Sequence, residues 1–231
     1  MRRLFFSFGF VALVAALTPA TAHAQQSFTF NIGAFGPRAA DARALGDVLV
    51  QDQTFLDFNI SDFQSATIGA EWLVWLGDKA EAGLGIGFYQ HTEPAADANN
   101  VFQTTGAPIQ ADLKLRIIPF TATLRFVPLG HGPFQPYIGA GIGVFAWRYS
   151  ETGDFVATDG VTIVQGNYVG SGAAVGPVVL AGVRFPFGPA SIGYEFRYQS
   201  AKGNLPGDQG FAGTVIDLGG FNNLLTFNVK F

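Results

Sequence analysis

The C-terminal segment, residues 221–231, has the most regular pattern in the chain and places the strongest constraint on the fold. From residue 225 onward, the apolar residues Leu225, Phe227, Val229 and Phe231 alternate with the polar residues Thr226, Asn228 and Lys230. Strict alternation of this kind predicts a β-strand with one apolar face and one polar face. At the border of a soluble sheet such a strand would be an exposed sticky edge, whereas a closed barrel has no edge. The segment therefore favours a barrel over a soluble edge strand.

The composition is more apolar than that of an ordinary soluble domain. Charged residues make up 13% of the 231 residues, where about 25% is usual, and 24 residues are phenylalanine. Mean hydropathy is +0.28. After the N-terminal segment, polar residues or glycine interrupt every apolar run, so none reaches the roughly 20 residues that a membrane-spanning helix needs. A closed β-barrel is the other structure that satisfies all its backbone hydrogen bonds inside lipid.

Composition also excludes several kinds of site. The chain has no cysteine, which excludes disulfides, thiolate metal sites, thiol nucleophiles and lipoprotein acylation. The net charge is −4, and without Arg2 and Arg3 it becomes −6, from 11 basic and 17 acidic residues. This acidic balance argues against a nucleic-acid partner. We expect neither a cofactor nor a metal ion.

Residues 1–24 have the pattern of a cleaved secretory signal peptide. Arg2 and Arg3 form a short basic start, residues 4–17 an apolar stretch, and Ala22, His23 and Ala24 an A-x-A cleavage site. The apolar stretch is too short to remain as a membrane anchor. We therefore expect an exported chain with one domain, residues 25–231.

Eight segments of the exported chain alternate apolar and polar residues with period two. They are residues 28–35, 67–76, 81–88, 110–127, 137–149, 175–187, 191–200 and 221–231. In the fourth segment the apolar parity changes, because Leu113, Leu115 and Ile117 are odd-numbered whereas Phe120 and Leu124 are even-numbered. If the apolar face is outward throughout, a β-bulge near residues 118–119 is needed to restore the phase.

The connections between these segments alternate between short and long. The short ones are residues 77–79, 128–136 and 188–189, and the long ones are residues 36–65, 91–109, 150–173 and 201–220. Short periplasmic turns and long extracellular loops are the rule in outer-membrane barrels whose termini are both periplasmic. The predicted fold is all-β: an eight-stranded antiparallel up-and-down transmembrane β-barrel.

The final strand, the segment RIIPFTATLRFVPLG and the following PYIGAGIG resemble small bacterial outer-membrane β-barrel proteins of the OmpW, OmpX and OmpA-transmembrane type, often labelled porin-like. The resemblance implies a place in the bacterial outer membrane, in contact with its lipid and lipopolysaccharide. It also implies that Phe231, Val229 and Phe227 form the signal read by the barrel-assembly machinery. Similarity to OmpW in particular implies passage of small, apolar solutes.

Charged residues on the inward faces are the candidate functional set. They are Glu71, Glu81, Asp112, Lys114, Arg116, Arg125, Arg184, Glu195, Arg197 and Lys230. Charges at membrane depth are costly unless paired or wetted, so we expect a network, with Glu81 beside Arg125 and Glu195 beside Arg197 or Arg184. This network is either a salt-bridged plug or the lining of a narrow solute path. The plug is favoured because eight strands enclose little more than side chains.

The loops and the rim contain the remaining candidates. His91, next to Thr92 and Glu93, lacks the His-x-Ser spacing of outer-membrane lipid A deacylases, so we interpret it as a rim histidine and predict no enzymatic activity. The aspartates of the long connections could bind divalent cations that bridge lipopolysaccharide or keep the connections solvated, and solvation is favoured because their spacing is not that of a cation-binding loop. Residues 38–56 are expected to include a short helix, with Phe55, Phe58 and Phe63 folded over the mouth. The predicted function is structural or surface interaction, with a narrow solute channel as the alternative.

Overall fold

The computed structural model describes residues 25–157 and 159–231. The predicted signal peptide, residues 1–24, lies outside the described residues. Eight long strands make up most of the described chain: β1 (Gln26–Pro37), β2 (Ser65–Trp75), β3 (Ala80–Val101), β4 (Pro108–Phe126), β5 (Gln135–Val156), β6 (Ile163–Phe187), β7 (Ala190–Gln199) and β8 (Gly220–Lys230).

These strands close into a ring. Each strand pairs antiparallel with the next one in the chain, and β8 pairs antiparallel with β1. At the closure, Ile32 of β1 lies opposite Leu225 of β8 on one side and Ile68 of β2 on the other. The predicted eight-stranded antiparallel barrel is confirmed, and the C-terminal strand is one of the two that close it.

The two ends of the barrel differ in their connections. Both ends of the described chain lie at the turn end, together with the short turns that contain Gly77, Gly130 and Gly188, each with a positive φ. The opposite end, the loop end, contains residues 38–64, 102–107, 157, 159–162 and 200–219. The predicted long loops at 91–109 and 150–173 are wrong, because β3–β4 and β5–β6 continue through most of them as paired strands.

A belt of large apolar side chains surrounds the outside of the ring. Its exposed members include Phe30, Ile32, Ile68, Leu84, Ile86, Phe120, Leu124, Ile142, Val175, Val179, Ile192, Leu225 and Phe227. Ile142 is 63% exposed and Val175 is 70% exposed. A continuous apolar surface of this size is unfavourable in water but matches the hydrocarbon of a bilayer, so the barrel is a transmembrane one. Among the described residues, none of the helices has the length and hydrophobicity to cross a bilayer.

Strand β4 keeps one parity from end to end, so the predicted bulge at residues 118–119 is wrong. Its register with β5 is continuous from Ala111 to Phe126. Leu113 and Leu115 are buried inside, whereas Lys114 lies on the outer face. The apolar residues change faces because the surroundings change: outside the strand there is lipid near Phe126 and water near Lys114. The prediction assumed lipid along the whole strand.

At the loop end, the first and last long connections fold over the barrel mouth and form what we call the cap, residues 38–64 and 200–219. The cap contains helix α1 (Val48–Asp52), two 3-10 turns, and the short strands Leu56–Asp57, Lys202–Asn204 and Val215–Asp217. The predicted short helix is present, and Phe58 and Phe63 are buried. Cap residues pack on Leu113, Leu115, Ile117, Phe145, Trp147 and Tyr149 of the wall, forming the main hydrophobic core.

Candidate functional site

Six charged side chains meet inside the barrel at the level of the apolar belt, and we call them the lumen network. They are Glu71 of β2, Glu81 of β3, Arg125 of β4, Arg184 of β6, and Glu195 and Arg197 of β7. Each occupies the inward position of its strand, next to an outward residue of the apolar belt. Three acids and three bases make the network neutral, which lowers the cost of holding charges at this depth.

Arg125 is at the centre of the network. Its guanidinium is ion-paired with Glu71 and lies 2.9 Å from Glu195. Arg197 bridges the same two acids, at 2.6 Å from Glu195 and 3.2 Å from Glu71. Two bases thus alternate with two acids, so that each charge has two opposite neighbours. This arrangement is the one in which a buried charge cluster recovers most of its desolvation cost.

Neutral side chains complete the network. The hydroxyl of Thr123 donates to Glu71 over 3.0 Å, and that of Tyr137 donates to Glu195 over 3.0 Å. The Tyr137 ring also lies 4.9 Å from the guanidinium carbon of Arg125 and 5.2 Å from that of Arg184. Tyr137 therefore offers both a donor to an acid and a π-face to two cations. Sequence reasoning missed both partners, although each is on the inward parity of its strand.

Glu81 forms a separate pair with Arg184, at 2.7 Å. The sequence prediction placed Glu81 beside Arg125, and the two are opposite in the register of β3 and β4. Their side chains nevertheless diverge, because Arg125 extends toward Glu71 and Glu195. Glu195 and Arg197, the other predicted pair, are in contact.

Four residues of the predicted lumen set lie outside the lumen network. Asp112, Lys114 and Arg116 lie on the outer face of β4 near the loop end, for the parity reason given above. Lys230 is half-buried at the turn end, and among the described residues it has no ion pair. Of the predicted assembly signal, Phe227 is on the outer face and Phe231 is exposed at the turn end beside Val229.

A small cavity lies inside the barrel, on the cap side of the lumen network. Its volume is about 30 Å³, and Arg197, Gln199 and Asn222 are among its lining residues. This is space for one or two water molecules. Gln199 also donates to the carbonyl of Leu218 in the cap, over 2.9 Å. The cavity therefore has the lumen network on one side and the cap on the other.

Buried aspartates join the two halves of the cap. Asp47 accepts from Arg43 at 2.6 and 3.1 Å and from the backbone N–H of Asp217 at 2.5 Å. Asp217 in turn accepts from Arg38 at 2.6 Å. Burial alone would raise the pKa of Asp217, but the hydrogen bonds from Arg38 and the Gly219 N–H hold that pKa below its ordinary value. The prediction that Asp47 and Asp217 are solvated is wrong, because each accepts several hydrogen bonds inside the cap.

Asp52 is a third buried aspartate, and it faces the barrel wall. Tyr149 of β5 donates to it over 3.0 Å, and Glu151 lies beside it. Burial and the negative charge of Glu151 raise the pKa of Asp52 to about 8. Burial also raises the pKa of Glu151 to about 7. Both acids are therefore harder to deprotonate than exposed carboxyl groups, and Asp52 too departs from the solvated state that the sequence predicted.

His91 lies on the inner side of β3 near the cap. Its Nε2 is 3.0 Å from Glu93, and its ring packs against Phe63 at 5.8 Å between centroids. These contacts make His91 part of the support around the cap. Within the described part of the chain, no group of three or more His, Cys, Asp or Glu residues is arranged to hold a metal ion.

The chain matches no known protein-family profile and no curated protein sequence. Similar solved structures include Neisserial surface protein A, at 15% identity and a TM-score of 0.48, over 90% of this chain and 97% of that one. The outer membrane protein OprG from Pseudomonas aeruginosa is 17% identical, with a TM-score of 0.49, over 91% of this chain and 98% of that one. Ail of Yersinia pestis is 11% identical, with a TM-score of 0.44, over 91% and 100%. These neighbours are small outer-membrane barrels, and the assignment of this chain to a closed eight-stranded barrel rests on its own strand pairing.

Proposed function

We propose that this protein is a bacterial outer-membrane β-barrel with a closed interior and a structural or surface-interaction role. In this proposal the turn end is periplasmic and the loop end is extracellular. Short periplasmic turns and longer extracellular connections are the usual arrangement in such barrels. The apolar belt supports insertion, because each of the eight strands presents large apolar side chains to the outside.

The observation that carries the proposal is that side chains fill the interior at two successive levels. At belt level the lumen network joins β2, β3, β4, β6 and β7 across the barrel. At the extracellular level the cap covers the mouth with buried residues such as Leu49 and Phe63, both 0% exposed. The cavity between the two has room for one or two water molecules, which is far less than a hydrated solute needs.

The closure has a substantial energetic basis. Moving the cap would expose a hydrophobic core that includes Val48, Leu49, Phe63 and Leu218, at about 1.5–3 kcal/mol for each large side chain. It would also break the buried contacts of Asp47 and Asp217. Opening the lower level would separate Arg125 from two acids at membrane depth. Thermal motion alone does not supply these free energies.

A surface-interaction role is supported by the rigid extension of the barrel beyond the apolar belt. Strands β3–β4 and β5–β6 continue as paired hairpins, with Glu93 opposite Leu113 and Glu151 opposite Tyr168. The cap fills the space between the extended walls. The extracellular side is therefore a firm platform, which suits contact with other molecules better than a set of flexible loops would.

Recording from planar lipid bilayers tests the closed interior. A shift in gel mobility between unboiled and boiled samples first verifies that the reconstituted barrel is folded. We then expect no reproducible unit conductance between pH 6 and pH 7. A matched sample that lacks residues 39–63, replaced by a short Gly-Ser linker, should also stay closed if the lumen network is sufficient. Reproducible unit conductance of the natural chain at these pH values would contradict the proposal.

A narrow, gated solute path is the second candidate, and one observation favours it. Asp52 of the cap lies beside Glu151 of the wall, and the pKa of each of these buried acids is raised. Deprotonation of both acids would place two negative charges side by side and weaken the attachment of the cap. In this candidate, unit conductance is absent at pH 6 and appears above about pH 8, which the same recording would detect.

A further inference from the structure

Three basic side chains lie together on the outer face of the barrel, directly above the apolar belt. They are Lys114 and Arg116 of β4 and Arg148 of β5. Their neighbours Leu115 and Tyr149 are buried inside, so the three basic residues occupy the outward positions. One step toward the belt, the outward positions are taken by Ile118 and Ala146. The cluster therefore stands where the apolar surface ends.

The strand register places two of these charges directly opposite each other. Arg116 is paired with Arg148, which puts their Cβ atoms about 4.5–5.5 Å apart. Lys114 is the next outward residue of β4 and lies opposite Ser150. Like charges in directly opposed positions destabilise a sheet. Such an arrangement needs a compensating anion.

The outward positions directly opposite the two arginines on the flanking strands do not supply that anion. Gln90 lies opposite Arg116 on the other side, and Ser171 lies opposite Arg148. Asp112 is the acid of this face, two residues beyond Lys114 on the side away from the belt. Among the described residues, neither arginine of the cluster has an ion pair. The cluster is therefore free to bind an anion from another molecule.

The concentration of positive charge here is unusual for this chain. After residue 24 the chain has 11 basic residues against 17 acidic ones. Five of the basic residues are held in ion pairs inside the barrel or the cap: Arg38, Arg43, Arg125, Arg184 and Arg197. Three of the remaining six nevertheless lie side by side, directly beyond the apolar belt.

We propose that Lys114, Arg116 and Arg148 bind the phosphate groups of a phosphorylated glycolipid in the outer leaflet. The assignment rests on the proposed outer-membrane location. Arginine guanidinium groups bind phosphate oxygens through paired charge-assisted hydrogen bonds, and lysine adds a point charge. Directly below the cluster, Phe120 and Val144 offer an apolar surface for the acyl chains of the same lipid. Head group and tails thus contact adjacent parts of one wall.

The test uses the full exported chain in a non-ionic detergent, with bisphosphorylated lipid A as the probe. Binding is measured by native mass spectrometry and by the rise in melting temperature that a bound ligand causes. The variant Lys114→Gln, Arg116→Gln, Arg148→Gln should bind about tenfold more weakly or worse, and its melting temperature should no longer respond to the lipid. The matched control, Lys79→Gln with Lys202→Gln, removes two exposed basic residues elsewhere and should bind like the natural chain.

Two further samples separate the phosphate from other sources of affinity. Dephosphorylated lipid A should bind the natural chain about tenfold more weakly than bisphosphorylated lipid A does. It should bind the natural chain, the triple variant and the control variant with equal affinity. Inorganic phosphate at the same concentration should not raise the melting temperature, because it lacks the acyl chains. Equal binding of lipid A by the triple variant and the natural chain would overturn the assignment, as would an equal loss in the control. These measurements do not depend on conductance, so they fail or succeed separately from the closed-interior proposal.

Discussion

The belt level and the cap level of this barrel have the same alternation of side chains, but the apolar face is the outer one at the belt and the inner one near the cap. On β4 at the belt level, Arg125 points inward and Leu124 points to lipid. Nearer the cap on the same strand, Leu115 points inward and Lys114 points to water. The pleat fixes which residues share a face, whereas the solvent on each side decides which of the two faces is apolar. One strand therefore serves as a membrane strand and a soluble strand in succession.

The two levels also neutralise their buried charges differently. In the lumen network, Arg125 and Arg197 each contact both Glu71 and Glu195, so charge is balanced by opposite charge. In the cap, Asp52 lies beside Glu151 and accepts a hydrogen bond from Tyr149, and its raised pKa favours the uncharged acid at neutral pH. The stability of the lumen network should therefore be insensitive to moderate changes in pH, whereas the stability of the cap should depend on pH.

Replacement of Arg125 by methionine should have the largest effect on stability, because it removes one of the three positive charges of the lumen network. The change leaves Glu71 and Glu195 with Arg197 alone, and loss of one partner from a buried ion pair typically costs about 3–5 kcal/mol. Unfolding by urea of the barrel in lipid vesicles measures the loss. The control Lys79→Met, at an exposed position of a turn, should change the free energy of unfolding by less than about 0.5 kcal/mol. Equal losses in the two variants would mean that the lumen network does not stabilise the barrel.

The position of the apolar belt in the bilayer can be tested by introducing a lysine at either of two positions along β5. Ile142 and Thr152 both face outward, and Ile142 lies in the belt whereas Thr152 lies beyond it. A lysine near the middle of a bilayer typically costs a barrel about 2–4 kcal/mol. Ile142→Lys should therefore lower the free energy of unfolding in vesicles by that amount, and Thr152→Lys should leave it nearly unchanged. If the two variants were equally stable, the apolar belt would not lie in the hydrocarbon.

The sequence predicts the lower level better than the upper one, for a physical reason. Alternation reveals the strands and the inward positions of Glu71, Arg125 and Glu195, because the outer solvent is the same along that stretch. It does not reveal where lipid gives way to water, so Lys114 was assigned to the wrong face. The burial of Asp52 also has no periodic signal, since its surroundings come from distant parts of the chain.

The cap should lose stability as pH rises, and deprotonation of Asp52 should be the cause. Its pKa is about 8 in the folded protein, above the ordinary value of 3.8. The folded state therefore binds more protons than the unfolded state between these two values, and stability falls as pH increases through that window. We expect the cap to lose on the order of 2 kcal/mol of local stability between pH 6 and pH 9. Hydrogen exchange of residues 48–63 measures this loss.

Asp52→Asn should remove most of that pH dependence. The asparagine keeps an acceptor for the Tyr149 hydroxyl, but it cannot become negatively charged beside Glu151. The matched control is Asp57→Asn, which changes an exposed acid of the same connection and should leave the pH dependence intact. Equal protection of residues 48–63 at pH 6 and pH 9 in the natural chain would show that the acids of the cap do not govern its attachment.

The smallest effect concerns the boundary between the two levels, where Arg116 and Arg148 lie opposite each other. In detergent without any anionic lipid their repulsion is uncompensated, so Arg148→Gln should raise the free energy of unfolding by about 0.2–1 kcal/mol. The gain should shrink as salt increases, because exposed charges are screened within about 10 Å at 0.1 M ionic strength. Urea unfolding at low and high salt provides the measurement, with Lys202→Gln as the control for loss of one exposed charge. A loss of stability in Arg148→Gln at low salt would mean that Arg148 already makes a favourable interaction within the protein. It would then have no uncompensated charge with which to bind a lipid phosphate.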